Sequence, residues 1–171
     1  IEQNRVITKT YHLGTDGYGR DILSRLLFGV RVSLSVGLVA VLISLTIGIF
    51  MGSIAGYYRG TIDNIIMWFI NVIWAIPTIL LAMAIRFAIG DKIPSFLAIF
   101  IAVGLSMWVE VARIVRGQVL VVREMEYIQA ARGLGFQNLR IIIKHILPNI
   151  IGPIMVIAAS DFASAILIEA G

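Results

Sequence analysis

The chain has 171 residues, 59% of them hydrophobic and 14% charged, with a mean hydropathy of +0.95 and a formal net charge of +4. Soluble domains carry charge on roughly a quarter of their residues, so a water-soluble globular domain is excluded, and the modest positive balance fits basic membrane loops rather than a nucleic-acid footprint. The absence of cysteine removes disulfides, thiol nucleophiles and thiolate metal sites.

Four blocks, 32–57, 65–88, 93–111 and 148–168, have the length and apolarity of a bilayer span. The expected fold is an all-α polytopic membrane protein, a single transmembrane domain over residues 1–171. Residues 1–11 are polar and without period, and "HLGTDGYGRD" at 12–21 is rich in turn residues. From Arg20 a helical period begins, with Ile22, Leu23, Leu26, Leu27 and Val30 on one face and Arg20, Ser24, Arg25 and Arg31 on the other. Residues 12–31 therefore read as an interfacial amphipathic segment ahead of the first span. Their glycines match neither a dinucleotide-binding loop nor an EF-hand. No signal peptide opens the chain, which begins on Ile1 and stops at Gly171 as its last apolar block ends, so both ends read as cut from a longer protein.

In the first span Ser44, Gly48, Gly52 and Gly56 recur every four residues, a ridge of small side chains on which a second helix can lie close. A turn at 57–64 follows, in which Asp63 is placed to cap the next helix, and Pro77 is expected to kink the second span. "GDKIP" at 90–94 reads as a short exposed turn. The third span runs into "WVEVARIVRGQVL", where Glu110 and Arg113 stand three apart and can pair, and the fourth begins at Pro148 as a first-turn proline. Asp161 lies near the middle of that fourth span among small residues. A charge there must meet a partner or water. Two readings are open: a translocation path, in which Asp161 meets a peptide amino group or a metal ion, or a structural role through a hydrogen bond, a pair with Arg86 or a protonated carboxyl. Glu110 and Glu169 read as nearer the span ends, at the interface. Lys and Arg divide equally between the two sides, so charge does not orient the chain.

Between the third and fourth spans, "EYIQAARGLGFQNLRIIIKHILPN" reads as two short helices, 125–134 and 138–147, separated by Gly135, the natural residue for a left-handed helix end. Ala130 and Ala131 leave room for close approach of a partner. On the residues alone this is either a lever for another protein or an amphipathic helix meeting anionic lipid. His145, without further ligands, reads as a loop contact rather than a metal site.

The stretch resembles the EAA loop of ABC-importer permeases: Gln129-Ala130-Ala131, then Gly135, then His145-Ile146-Leu147-Pro148 at the matching spacing. Gln129 replaces the Glu of that pattern and His145 an Ile, while Glu126 stands one turn earlier. "HLGTDGYGRDILSRLLFGVRVSLSVGL", "GYYRG", "IPTILLA", "ARIVRGQVL", "YIQAARGLG" and "HILPN" are, in this order, similar to the dipeptide, oligopeptide and nickel branch of these permeases, in its second permease subunit. The resemblance implies a type I importer helical bundle with four spans here, one further span before His12 and another after Gly171. It implies a cytoplasmic coupling loop at 117–147, with Glu126, Gln129, Ala130, Ala131, Gly135, Leu147 and Pro148 coupling to an ATPase, and the 12–31 segment on the outer face. It further implies a non-catalytic subunit in the cytoplasmic membrane of a prokaryote, holding no cofactor or metal. Its partners are then a second permease subunit, two ATPase subunits carrying ATP and Mg, and an extracytoplasmic substrate-binding protein. Di- or oligopeptides are the expected cargo, with nickel as the alternative. No GxxxxGK[ST] phosphate loop occurs in these residues, so any ATP must be bound elsewhere. A secondary transporter or channel would run without ATP and has no use for the loop. A membrane protease would need Ser facing His within the bilayer, and His12 and His145 both fall outside the spans.

Overall fold

A computed structural model describes residues 11–90 and 94–170. The chain divides into two compact units, residues 1–35 and 36–171. In the first, Thr15 and Asp21 form a single antiparallel bridge around the glycine-rich turn. The Asp16 carboxylate accepts from the Tyr18 and Arg20 amides and from the Arg20 and Arg25 guanidiniums. The Arg20 amide is the largest of these influences, and together they hold Asp16 below the ordinary carboxylate range. Asp21 accepts from the Leu23 amide at 3.2 Å and from the Ser24 hydroxyl at 2.5 Å, capping helix α1 (Ile22–Tyr58). α1 is 37 residues long and unbroken. Residues 22–31 are thus its first turns rather than a separate interfacial helix, because no proline or glycine pair interrupts the backbone ladder there.

The second unit holds the rest of α1, then α2 (Gly60–Trp74), α3 (Thr78–Ile89), α4 (Ser95–Val122), α5 (Glu126–Gly133), α6 (Asn138–Ile141) and α7 (Ile151–Ala170). Ile22–Tyr58, Leu97–Val122 and Asn138–Ile168 are long and apolar enough to cross a membrane. α2 and α3 together make a fourth candidate, bent by 91°. The kink expected at Pro77 is therefore a right-angle break. Pro77 has no amide hydrogen and takes an extended ψ of 131°, so α2 ends before it and α3 begins after it, with the Pro77 carbonyl accepting from the Leu81 amide. The turn expected at 57–64 shrinks to Arg59, whose φ of 57° is in the left-handed region. Of the turn expected at 90–94, residues 91–93 lie outside the described residues, as do residues 1–10 and the side chain of Glu169.

The small-residue ridge of α1 packs against α4. A Cβ built on Gly48 would lie 2.5 Å from Val111, one on Gly52 2.5 Å from the Ala112 carbonyl oxygen, and one on Gly56 2.8 Å from the Arg116 carbonyl oxygen. The partner rises in step with the glycine, so α1 and α4 run parallel in this unit and the Tyr57 end of α1 lies beside the Val122 end of α4. Gly104 returns the contact, sitting against Ala40 and Ile43.

α4 does not end at residue 111 as the charges after it suggest. Arg116 forms a bidentate pair with Asp63 of α2, both contacts at 2.6 Å, and Arg113 lies over the Trp74 ring at 4.2 Å and donates to Asn71. With its cations matched from α2, the helix continues to Val122. This pairing also replaces the cap expected of Asp63, which accepts no capping hydrogen bond, and the expected Glu110–Arg113 pair, since Arg113 faces α2.

Pro148 stands in the first turn of the tight segment Leu147–Ile150, as expected, but the helix before it is not interrupted. Helical backbone runs from Asn138 through α6, a wide turn at Ile142–Ile146 and a tight one at Leu147–Ile150 into α7. The proline ring displaces the ordinary bond to the fourth residue back, so the Leu147 amide reaches the Ile142 carbonyl and the Asn149 side chain donates to the His145 carbonyl at 2.6 Å.

Candidate coupling loop and intramembrane site

Residues 117–122 of the segment read as a loop are the last turns of α4, and the projecting element is α5 with its flanking turns. α5 ends in a Schellman motif. Gly135 takes φ 77°, the Phe136 amide donates to the Ala131 carbonyl and the Gly135 amide to the Arg132 carbonyl. An L side chain at Gly135 would cost about 1–2 kcal/mol from backbone strain alone, since its Cβ meets nothing within 4 Å.

The two faces of α5 differ. Ile128 and Ala131 are buried with Val119, Val122, Ile141, Ile142 and Ile146 in one apolar core. Glu126, Gln129 and Ala130 are exposed, as are the apolar Leu134, Leu139 and Ile143. Of the alanine pair, then, Ala130 is open to a partner and Ala131 is an internal contact. Three-residue spacing from the apolar Ile128 was the signal that separates them. Leu147 packs against the same core and Pro148 is exposed. The Gln129 amide donates to the Glu124 carbonyl, and the His145 ring stacks on Phe136 at 5.9 Å.

Tyr57, which sequence reasoning passed over as part of a turn, fastens the end of α1 to this region. Its hydroxyl is 2.8 Å from Asn138 Oδ1, Arg132 lies over its ring at 5.0 Å, and its carbonyl accepts from Arg123. Arg59 reaches Glu124 at 2.7 Å. Together these contacts join α1, α4, α5 and α6 at one end of the unit.

Within the apolar stretches, Asp161 is 3% exposed and accepts from the Ser44 hydroxyl at 3.3 Å across α7 and α1. Arg86 donates to the Gly90 carbonyl. Glu110 lies midway along the Leu97–Val122 candidate span and its side chain is exposed. It borders a hollow of about 260 Å³ with Thr78, Ser106 and Ser164 in its lining, and Ile168 of that lining also borders a second, mostly apolar hollow of about 350 Å³ that Arg86 lines too.

The family described as binding-protein-dependent transport system inner membrane component matches residues 48–170. The dipeptide transport system permease protein DppC of Bacillus subtilis is 39% identical over 168 residues, which is 98% of this chain and 52% of that protein. DppC of Alkalihalophilus pseudofirmus is 44% identical, covering 90% of this chain and 50% of its own length. The glutathione transport system permease protein GsiD of Pectobacterium atrosepticum is 37% identical over 95% of this chain and 53% of its own length. The chain thus spans about half the length of the relatives it matches. Among solved structures, a chain of an amino acid ABC transporter superposes with a TM-score of 0.59 at 21% identity, over 88% of this chain and 76% of that one. The helical permease fold expected from the sequence is the one observed. This multi-pass chain belongs to the binding-protein-dependent transport system inner membrane components.

Proposed function

We propose that this chain forms one half of the translocation pathway of an ATP-driven importer of di- and oligopeptides, paired in the membrane with a second permease subunit. On this reading α5 docks in a cytoplasmic ATPase subunit, two such subunits bind ATP and Mg, and an extracytoplasmic binding protein delivers the substrate. The chain itself performs no catalysis. The observation that carries the proposal is the two-faced α5, whose inner side is built into the core through Ile128 and Ala131 while Gln129 and Ala130 face outward. Glu126, Gln129 and Ala130 make the contact, and Ala131, Gly135, Leu147 and Pro148 give the element its shape. A partner pushing on α5 moves the ends of α1, α4 and α6 together, because Tyr57, Arg123 and Asn138 tie them. The names of the dipeptide, oligopeptide and glutathione permeases support peptides over nickel. Burial against Ser44 favours the structural reading of Asp161, holding α7 to α1.

The test is uptake of the dipeptide Ala-Ala by proteoliposomes holding the full-length chain with its partner subunits and binding protein. Uptake that requires ATP is expected. Uptake of equal rate without ATP would return the chain to the secondary transporters.

A further inference from the structure

We propose that Glu110, bordering the hollow lined by Thr78, Ser106 and Ser164, recognises a protonated amino group on the transported substrate. The inference rests on the peptide-importer reading and deepens it by naming a contact point in the path.

An exposed carboxylate halfway along an apolar span must face water or an opposite charge, and such groups mark substrate and ion pathways. Among the described residues no basic side chain pairs with Glu110. The two nearest cations on its own helix are committed to α2, Arg113 to Trp74 and Asn71 and Arg116 to Asp63. The charge therefore remains available to a ligand. Around it stand the hydroxyl-bearing Thr78, Ser106 and Ser164. An ammonium offers three donors and no acceptor, and a carboxylate with hydroxyls offers acceptors. Divalent cations want several carboxylate or imidazole ligands, and no group of three or more such residues occurs among the described residues.

Size points the same way. At about 260 Å³ the hollow is smaller than the ~300–1,000 Å³ of whole-ligand sites, so it takes one end of a substrate. The second hollow, which shares Ile168, is mostly apolar, lined by Ile79, Ala82, Met83 and Phe87 with Arg86 as its one charged residue, and suits an apolar side chain of the substrate. Asp161 lines neither hollow and already holds Ser44.

The experiment uses the complete importer in proteoliposomes, with Ala-Ala and N-acetyl-Ala-Ala each supplied at concentrations that saturate the binding protein, so that the permease sets the rates. The wild type is expected to move Ala-Ala about tenfold faster than the acetylated peptide, the scale of one charge-assisted hydrogen bond. Glu110→Gln brings that ratio close to one, and Glu110→Asp keeps most of it. Should Glu110→Gln fail to assemble, Ser164→Val, which fills the hollow and leaves the charge, is expected to lower the ratio as well. An unchanged ratio in the assembled variant, or equal loss of both peptides, overturns the assignment while leaving the importer reading in place. ATP hydrolysis without uptake of either peptide by the wild type overturns the peptide reading and this inference with it.

Discussion

Arg116→Ala destabilises the chain by about 3–5 kcal/mol, the scale for removing one partner of a buried pair. The Asp63 carboxylate is 10% exposed and holds Arg116 through two 2.6 Å contacts, joining α2 to the middle of α4. Without the guanidinium, Asp63 is left buried without its partner beside an apolar span. Arg116→Lys keeps the charge and loses the second contact, so it falls between wild type and Ala. The double variant Asp63→Ala, Arg116→Ala recovers much of the loss, because neither charge is then stranded. Unfolding of the detergent-solubilised full-length protein measures all three. A single Arg116→Ala variant within about 0.5 kcal/mol of wild type, as surface pairs behave, would show that the pair is not formed.

The second large effect belongs to Gly52. Its missing Cβ would stand 2.5 Å from the Ala112 carbonyl oxygen, 2.9 Å from Val115 and 3.1 Å from the Arg116 amide nitrogen. Two of these are backbone atoms of α4 and cannot rotate away. Gly52→Ala is expected to cost about 1–3 kcal/mol, as overpacking does, and Gly52→Leu to prevent α1 and α4 from closing at all. Gly117→Ala, on α4 where a Cβ meets nothing within 4 Å, is the control and should be neutral or slightly stabilising through helix propensity. The same unfolding assay separates them. Equal stability of Gly52→Ala and Gly117→Ala would mean that the two helices do not touch along the ridge.

The ridge itself was legible, because a four-residue repeat of small side chains has one use between parallel helices and α4 meets it residue for residue. Gly135 was legible for a similar reason: a glycine after a run of helix formers marks a left-handed end, and it takes φ 77°. Charge was the weaker guide. Glu110, Arg113 and Arg116 looked like the end of a span, but the two arginines are met by Asp63, Asn71 and Trp74 of α2, which lie about 40–50 residues earlier. Hydropathy windows do not see pairing across helices, so the apolar block was ended at residue 111 where α4 runs on to Val122. Pro148 was half legible: it stands in the first turn of Leu147–Ile150, but helical backbone also precedes it. A proline preceding an apolar block reads as a helix start, whereas the wide turn at Ile142–Ile146 and the Asn149 side chain absorb it inside continuous helix. Tyr57 carried no sequence signal at all, since its partners Arg123, Arg132 and Asn138 come together only once α1 and α4 are parallel.

The most direct measurement places single cysteines in a cysteine-free full-length protein, one at Ala130 and one at Ala131, and follows crosslinking to co-expressed ATPase subunits in membranes with and without ATP. The exposed Ala130 position should crosslink strongly, with a yield that changes with nucleotide, while the buried Ala131 position stays weak. No crosslink from Ala130 in a complex shown to be assembled would contradict the coupling role of α5 and leave it a lipid-facing helix.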